Sequence, residues 1–141
     1  MSKKTNDVVI TAALRTPIGT YKGSLQGLDA YKLGSIAIKE VIFKSKLKPD
    51  DVDEVIMGHV LTSGSGQNPA RQASISAGVP FSKPAHIVNQ VCGSGLRSIV
   101  SGFQSIKAGD SKIIIAGGQE NMSLAPHAIH LRDGKKLGNT E

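Results

Sequence analysis

Ala85-His86-Ile87-Val88-Asn89-Gln90-Val91-Cys92-Gly93-Ser94-Gly95-Leu96-Arg97-Ser98-Ile99-Val100-Ser101-Gly102-Phe103 is the stretch on which the fold turns. Ala85 to Val91 is a short run with β-branched side chains and predicts a buried strand. Cys92-Gly93-Ser94-Gly95 is a tight turn. Leu96, Ile99, Val100 and Phe103 then fall at i, i+3, i+4 and i+7, the spacing of one helical face, and Gly109 stops that helix. A strand that turns directly into a helix is one βα unit, and the rest of the chain repeats the alternation.

Upstream, Val8-Val9-Ile10-Thr11-Ala12-Ala13 predicts a first buried strand, followed by turn chemistry from Arg15 and glycine punctuation to Gly27. A helix is expected from Asp29, its cap, to about Lys46, with Leu33, Ile36, Ala37 and Val41 on one face. Val55 to Leu61 predicts a second strand. Asn68 can cap a helix with Pro69 at its first position, and Gly78-Val79-Pro80 ends it. Ala85–Val91 is then the third strand, and Lys112 to Ala116 predicts a fourth. The order βαβαβαβ implies an α/β fold with a mainly parallel sheet and right-handed crossovers. Residues 1–118 form the expected core, and 119–141, without a clear period, reads as the start of an excursion that is cut short.

Composition narrows the function classes. The 141 residues carry 17 Lys+Arg against 11 Asp+Glu, a formal charge of +6, with 39% apolar and 20% charged residues. That suits a soluble globular chain. No stretch approaches the ~20 apolar residues that span a bilayer, so no membrane role is expected. Aromatics are 4%, which removes the usual stacking platforms, and the lysines are dispersed, so no nucleic-acid partner is expected. The basic start, Met1 to Asp7, has no apolar h-region of the secretory kind behind it, which argues against a secretory signal and favours the cytoplasm. One cysteine cannot form an internal disulfide and fits a reducing compartment.

Cys92 is the chemical focus. In an open parallel sheet, ligands bind beyond the carboxyl ends of the strands. Cys92 is placed at such an end and at the start of a helix. Free N–H groups and a partial positive charge there favour thiolate over thiol. Gly93 and Gly95 permit a sharp turn and close approach of a substrate. The plainer reading is a small buried hydrophobe, a common fate of free cysteine. The glycines form neither a dinucleotide fingerprint, because Ser98 stands where the third glycine belongs, nor a Walker A loop. Of four histidines, His86 lies about 20 Å from Cys92 along an extended strand, and His59 is expected to be packed. His127 and His130 are spaced for a shared helical face but lack companions, so no metal site is expected. No partner base for Cys92 is evident.

Four segments together resemble the N-terminal part of a thiolase of the biosynthetic acetyl-CoA acetyltransferase type. They are Arg15-Thr-Pro-Ile-Gly-Thr-Tyr, Gly64-Ser-Gly-Gln-Asn-Pro-Ala-Arg-Gln-Ala, Asn89-Gln-Val-Cys-Gly-Ser-Gly-Leu-Arg-Ser and Ala116-Gly-Gly-Gln-Glu-Asn-Met-Ser-Leu-Ala-Pro-His. The third is the most specific. Gln119 and Asn121 depart from the family, which usually has Met and Ser there.

The resemblance implies a thiolase-like N-terminal half and an acyltransferase that passes an acyl-thioester through Cys92. The backbone N–H of Cys92 would serve an oxyanion hole. It implies coenzyme A thioesters (acetyl-CoA or another acyl-CoA) as substrates, no permanently bound cofactor, and a homo-oligomer, dimer or tetramer, for the full-length form. The family's G-H-P histidine, Asn-Glu-Ala-Phe segment and second cysteine are not in these 141 residues. The chain is therefore expected to be a fragment with negligible turnover alone. The alternative is a non-catalytic remnant that associates with another chain through an exposed sheet edge and an uncovered apolar face. A ketoacyl synthase, a related condensing enzyme, is a weaker reading. Arg132, Lys135 and Lys136 are weak candidates for the phosphates of coenzyme A, against a plain solvated loop. Arg15 and Arg71 are expected to be structural.

Overall fold

A computed structural model describes residues 7–130. Three strands form one parallel sheet: β1 (Glu54–Gly58), β2 (Ala85–Val88) and β3 (Ile114–Gly118), in the order β2-β1-β3. Three helices intervene: α1 (Ala30–Lys44), α2 (Pro69–Ser76) and α3 (Ser94–Ala108). Short 3-10 turns lie at Pro49–Asp51 and Met122–Leu124. The register pairs Val55 with Ala85 and with Ile115, and Gly58 with Val88 and with Gly118. The expected α/β class and parallel pairing are therefore present, and β1, β2 and β3 are the expected second, third and fourth strands.

The expected first strand is not. Val8 to Ala13 has no ladder, and Val9 and Ile10 are 71% and 75% exposed. β-Branched residues favour a pleated surface only where cross-strand neighbours pack against them. Among the described residues the outer edges of β2 and β3 meet no further strand, and Val8–Ala13 pairs with neither, so its side chains gain no cross-strand neighbours.

Local rules account for the helix ends. Asn68 takes a left-handed conformation (φ 44°) and its side chain accepts from Arg71 N at 3.1 Å, with Pro69 next. Gly78 (φ 95°) leaves α2 and Gly109 (φ 89°) leaves α3, each in the left-handed region that glycine tolerates. Asp29 stands at the start of α1 without capping it through its side chain; the carboxylate binds Lys32 Nζ at 2.8 Å instead.

The two faces of the sheet are packed by different chemistry. Val55 and Met57 enter a core with Ile38, Ile42, Val52, Ala70, Ala73, Ala77, Val79 and Ile115, built between the sheet and the α1–α2 layer. Alternation sends Ile56 and Gly58 to the opposite face, under α3. There the expected burial is inverted. α3 buries Ser94, Ser98 and Gly102, while Leu96 and Phe103 are 68% and 47% exposed and Ile99 and Val100 are also exposed. The reason is closeness: a Cβ on Gly102 would stand 3.2 Å from Ile114, and Ser98 Oγ donates to Gly117 O at 2.7 Å. Small residues let the helix lie against the strands, so its large side chains point away. On α1 the buried stripe is likewise Ala30, Gly34, Ile38 and Ile42, with Ile36 exposed, not the expected Leu33–Val41 face. Leu33, Ala37 and Val41 line a groove of about 280 Å³ with Leu14, Ile115 and Ala116.

Candidate active site

The carboxyl end of the sheet is made by glycines. A Cβ on Gly58 would lie 2.5 Å from Gly95 N and from the Ser94 carbonyl carbon. A Cβ on Gly118 would lie 3.5 Å from Gly95 Cα, an ordinary contact. Because Gly58 lacks a side chain, the start of α3 rests directly on the end of β1. That contact fixes where the chain between β2 and α3 must run, and Cys92 is in that connection.

The connection is a knot of short bonds. Gly93 N donates to Gln90 O at 3.0 Å and Ser94 N to Val91 O at 3.1 Å. Gln90 N donates to Ser94 Oγ at 2.8 Å, and that hydroxyl donates to Val91 O at 2.6 Å. Val91 N donates to Asn89 Oδ1 at 3.0 Å. The knot forces Val91 to φ 49°. A β-branched residue in the left-handed region costs on the order of 1–3 kcal/mol and persists only where the surroundings over-determine it. Strain of this kind collects where a side chain must be presented, and the side chain presented next is Cys92. Cys92 is a free thiol and is exposed, so the reading as a buried hydrophobe does not hold. The residue stands one position before Gly93, which opens α3, so the expected helix start is met. The expected strand end is not: β2 stops at Val88, three residues short of Val91, because the turn and the positive φ of Val91 break the extended run, and Cys92 lies four residues beyond the strand.

The histidines sort as follows. His86 lies on β2 with Nδ1 3.1 Å from Glu54 Oε1, turned to the neighbouring strand. His59 is buried at 1% exposure. His127 and His130 are exposed in a stretch without helix, so the shared helical face is not formed. Among the described residues no group of three or more His, Cys, Asp or Glu could hold a metal. Arg71 donates through both terminal nitrogens to Lys83 O and Phe81 O, a structural clamp on the loop before β2. Arg15 lines the groove beside α1. Arg132, Lys135 and Lys136 lie outside the described residues. A cavity of about 240 Å³, bounded by Asp29, Tyr31, Ser63, Ser65, Gln72 and Asn121, does not include Cys92.

Sequence reasoning missed the segment after β3. Gln119 N continues the ladder to Gly58 O at 2.9 Å. Glu120 Oε2 accepts from Val60 N at 2.9 Å and Leu61 N at 3.3 Å. Asn121 Nδ2 donates to Leu25 O, Gln26 O and Leu28 O, at 3.1, 3.2 and 2.6 Å. Ser123 Oγ accepts from Lys22 N at 2.9 Å. This short polar segment thus ties distant loops to one end of the sheet. The partners are about 60 and 95 residues away along the chain, beyond the reach of any local pattern.

The family model described as thiolase, N-terminal domain, matches residues 8–141. The chain is 51% identical over 138 residues to a cytosolic acetyl-CoA acetyltransferase of Rattus norvegicus, covering 98% of this chain and 35% of the relative. It is 52% identical over 136 residues to an acetyl-CoA acetyltransferase of Cupriavidus necator, and likewise to a probable acetyl-CoA acetyltransferase of Escherichia coli, each covering 96% of this chain and 35% of the relative. The chain spans about a third of the length of these relatives.

Proposed function

The chain belongs to the thiolase family, and from that premise we propose that it supplies the nucleophile half of an acyltransferase, with Cys92 as the acyl acceptor. The observation that carries this is the exposed thiol on the strained turn between β2 and α3. In the first step the Cys92 thiolate attacks the carbonyl carbon of acetyl-CoA. The C–S bond to coenzyme A breaks, coenzyme A leaves and takes up the proton, and the acetyl group stays on Sγ. In the second step a second acetyl-CoA, having lost a proton from its methyl carbon, attacks the thioester carbonyl. Acetoacetyl-CoA forms, and Cys92 is released and reprotonated. Thiolysis is the reverse.

The helix start favours both steps. Backbone N–H groups at an α-helix N-terminus stabilise the oxyanion that forms at the thioester carbonyl. Proton transfer in the second step needs an acid/base pair. The two histidines on the sheet, His59 and His86, are turned to Glu120 and Glu54 instead of Cys92. Neither is placed to serve as that pair. Removing groups that act with a nucleophile as a unit costs orders of magnitude in rate. The 141-residue chain alone is therefore expected to show negligible thiolysis of acetoacetyl-CoA by coenzyme A. Turnover at the rate of a full-length relative would overturn this division of labour.

The same reading extends to cell context. The Rattus norvegicus relative is named as cytosolic, and we place this chain in the cytoplasm with it. No helix among the described residues is long and apolar enough to cross a membrane. A homo-oligomer is proposed for the full-length form.

A second reading has its own observation. The outward face of α3 exposes Leu96, Ile99, Val100 and Phe103, and the outer edges of β2 and β3 carry no strand among the described residues. Such surfaces are covered in stable proteins. A remnant that acts only by association with another chain would use them and leave Cys92 idle. Loss of acetyl-group uptake at Cys92, with retained association, would favour it.

A further inference from the structure

The buried titratable group that acyl transfer leaves unused is His59. Its side chain is wholly buried at the carboxyl end of β1. Its Nε2 faces Glu120 Oε1 at 3.2 Å, and its Nδ1 lies 3.5 Å from Gln119 Nε2. Among the described residues, His59 Nε2, Gln119 Oε1 and Glu120 Oε1 have no aligned hydrogen-bond partner. The 3.2 Å approach is thus a facing pair and not an aligned hydrogen bond. The other carboxylate oxygen of Glu120 already holds Val60 N and Leu61 N.

These contacts select a protonation pattern. A carboxylate only accepts, so the ring nitrogen facing it must carry a proton. An amide N–H only donates, so the ring nitrogen facing Gln119 Nε2 must be bare. Both conditions are met by the neutral imidazole with its proton on Nε2. Space for the amide is supplied by α1, where a Cβ on Gly34 would stand 2.0 Å from Gln119 Oε1. A hydrocarbon side chain at position 119 would have no N–H to offer Nδ1. We propose that Glu120 is a positioning residue of the carboxyl end of the sheet: with His59 held by Gln119 in its Nε2–H form, its carboxylate clamps the chain leaving β1 to the chain leaving β3.

The clamp acts at the end of the sheet on which α3 and Cys92 sit. The chain it holds continues into Ser63, Gly64 and Ser65, one wall of the 240 Å³ cavity. The inference rests on the acyltransferase reading only for the use made of that end of the sheet. Its test does not involve acyl transfer, so the two can fail separately.

The test is nuclear magnetic resonance on the ¹⁵N-labelled 141-residue chain at neutral pH. Long-range ¹H–¹⁵N correlations are expected to show His59 with a protonated Nε2 and a bare Nδ1. Amide exchange at Val60 and Leu61 is expected to quicken about tenfold in Glu120→Gln, which keeps the shape and removes the charge, while Val55 and Met57 stay unchanged. In the same variant the Nε2–H form should give way to a mixture, a signature that loss of packing alone does not produce. A wild-type His59 protonated on Nδ1 overturns the proposal, as does unchanged exchange at Val60 and Leu61. Should Glu120→Gln not fold, the wild-type spectrum decides by the position of the proton.

Discussion

The two ends of the sheet are held by the same device in different surroundings. At the amino end, Asp53 Oδ2 accepts from Lys112 N at 2.8 Å and Ile113 N at 3.0 Å, tying the start of β1 to the start of β3. At the carboxyl end, Glu120 Oε2 accepts from Val60 N and Leu61 N, tying the chains that leave the same two strands. Asp53 is partly open to water and has Lys83 Nζ at 3.8 Å. Glu120 instead faces a buried imidazole and lies beside the Gln119 amide that meets the same ring. The amino end is a half-buried clamp with a spare counter-charge. The carboxyl end is built without slack, from glycines in contact with α3, a strained Val91 and a buried polar cluster. That asymmetry falls at the end of the sheet next to Cys92, the proposed acyl acceptor.

Substitutions at the two ends should therefore differ in size. The largest effect is expected at Gly58. Gly58→Ala drives a methyl group into Gly95 and Ser94 and should cost about 3 kcal/mol or more, because neither contact is a flexible side chain. Urea unfolding reads it, and a loss below about 1 kcal/mol would show that α3 can lift off the strand ends.

Next comes Glu120→Ala, which strands two backbone N–H groups and a buried imidazole. A loss of about 2–3 kcal/mol is expected by the same measurement. Asp53→Asn should cost about 1 kcal/mol, since the amide oxygen can still accept from both N–H groups and only the charge assistance is lost. The hydrogen bonds from Lys112 and Ile113 hold the Asp53 carboxyl below its ordinary 3.8, with Lys83 and Lys112 adding to the shift. A lowered folded-state pKa means that this contribution is complete above the unfolded value. It is lost as pH falls from about 4 through the folded pKa. In the Asp53→Asn variant that part of the acid dependence should vanish; an unaltered acid profile would contradict it. Lys83→Ala should be smallest, within about 0.5 kcal/mol, because the 3.8 Å pair is loose and still partly open to water. If Asp53→Asn proved as costly as Glu120→Ala, the contrast between the two ends would collapse.

The same contrast explains what the sequence disclosed. Order and type of α1, α2, α3 and three strands were legible, because capping by Asn68-Pro69 and stopping by Gly78 and Gly109 are local events. Cys92 was legible because its strand–turn–helix setting is local too. Which face of α3 is buried was not. Leu96, Ile99, Val100 and Phe103 give the stronger amphipathic stripe, but Ser98 and Gly102 decide by letting the helix come close. Val8–Ala13 carries strand propensity, but a strand needs a partner, and propensity does not name one. Val91 gives no sign of its positive φ. The Glu120, Asn121 and Ser123 contacts join segments that only the finished fold brings together.

Presentation of Cys92 as an acyl acceptor at the carboxyl end of the sheet is tested most directly by intact mass. The 141-residue chain is incubated with acetyl-CoA beside Cys92→Ala, with circular dichroism confirming that both are folded. The gain of one acetyl group is expected in the wild-type chain and none in Cys92→Ala. A folded wild-type chain that takes up no acetyl group, or takes it up equally in Cys92→Ala, would contradict that role.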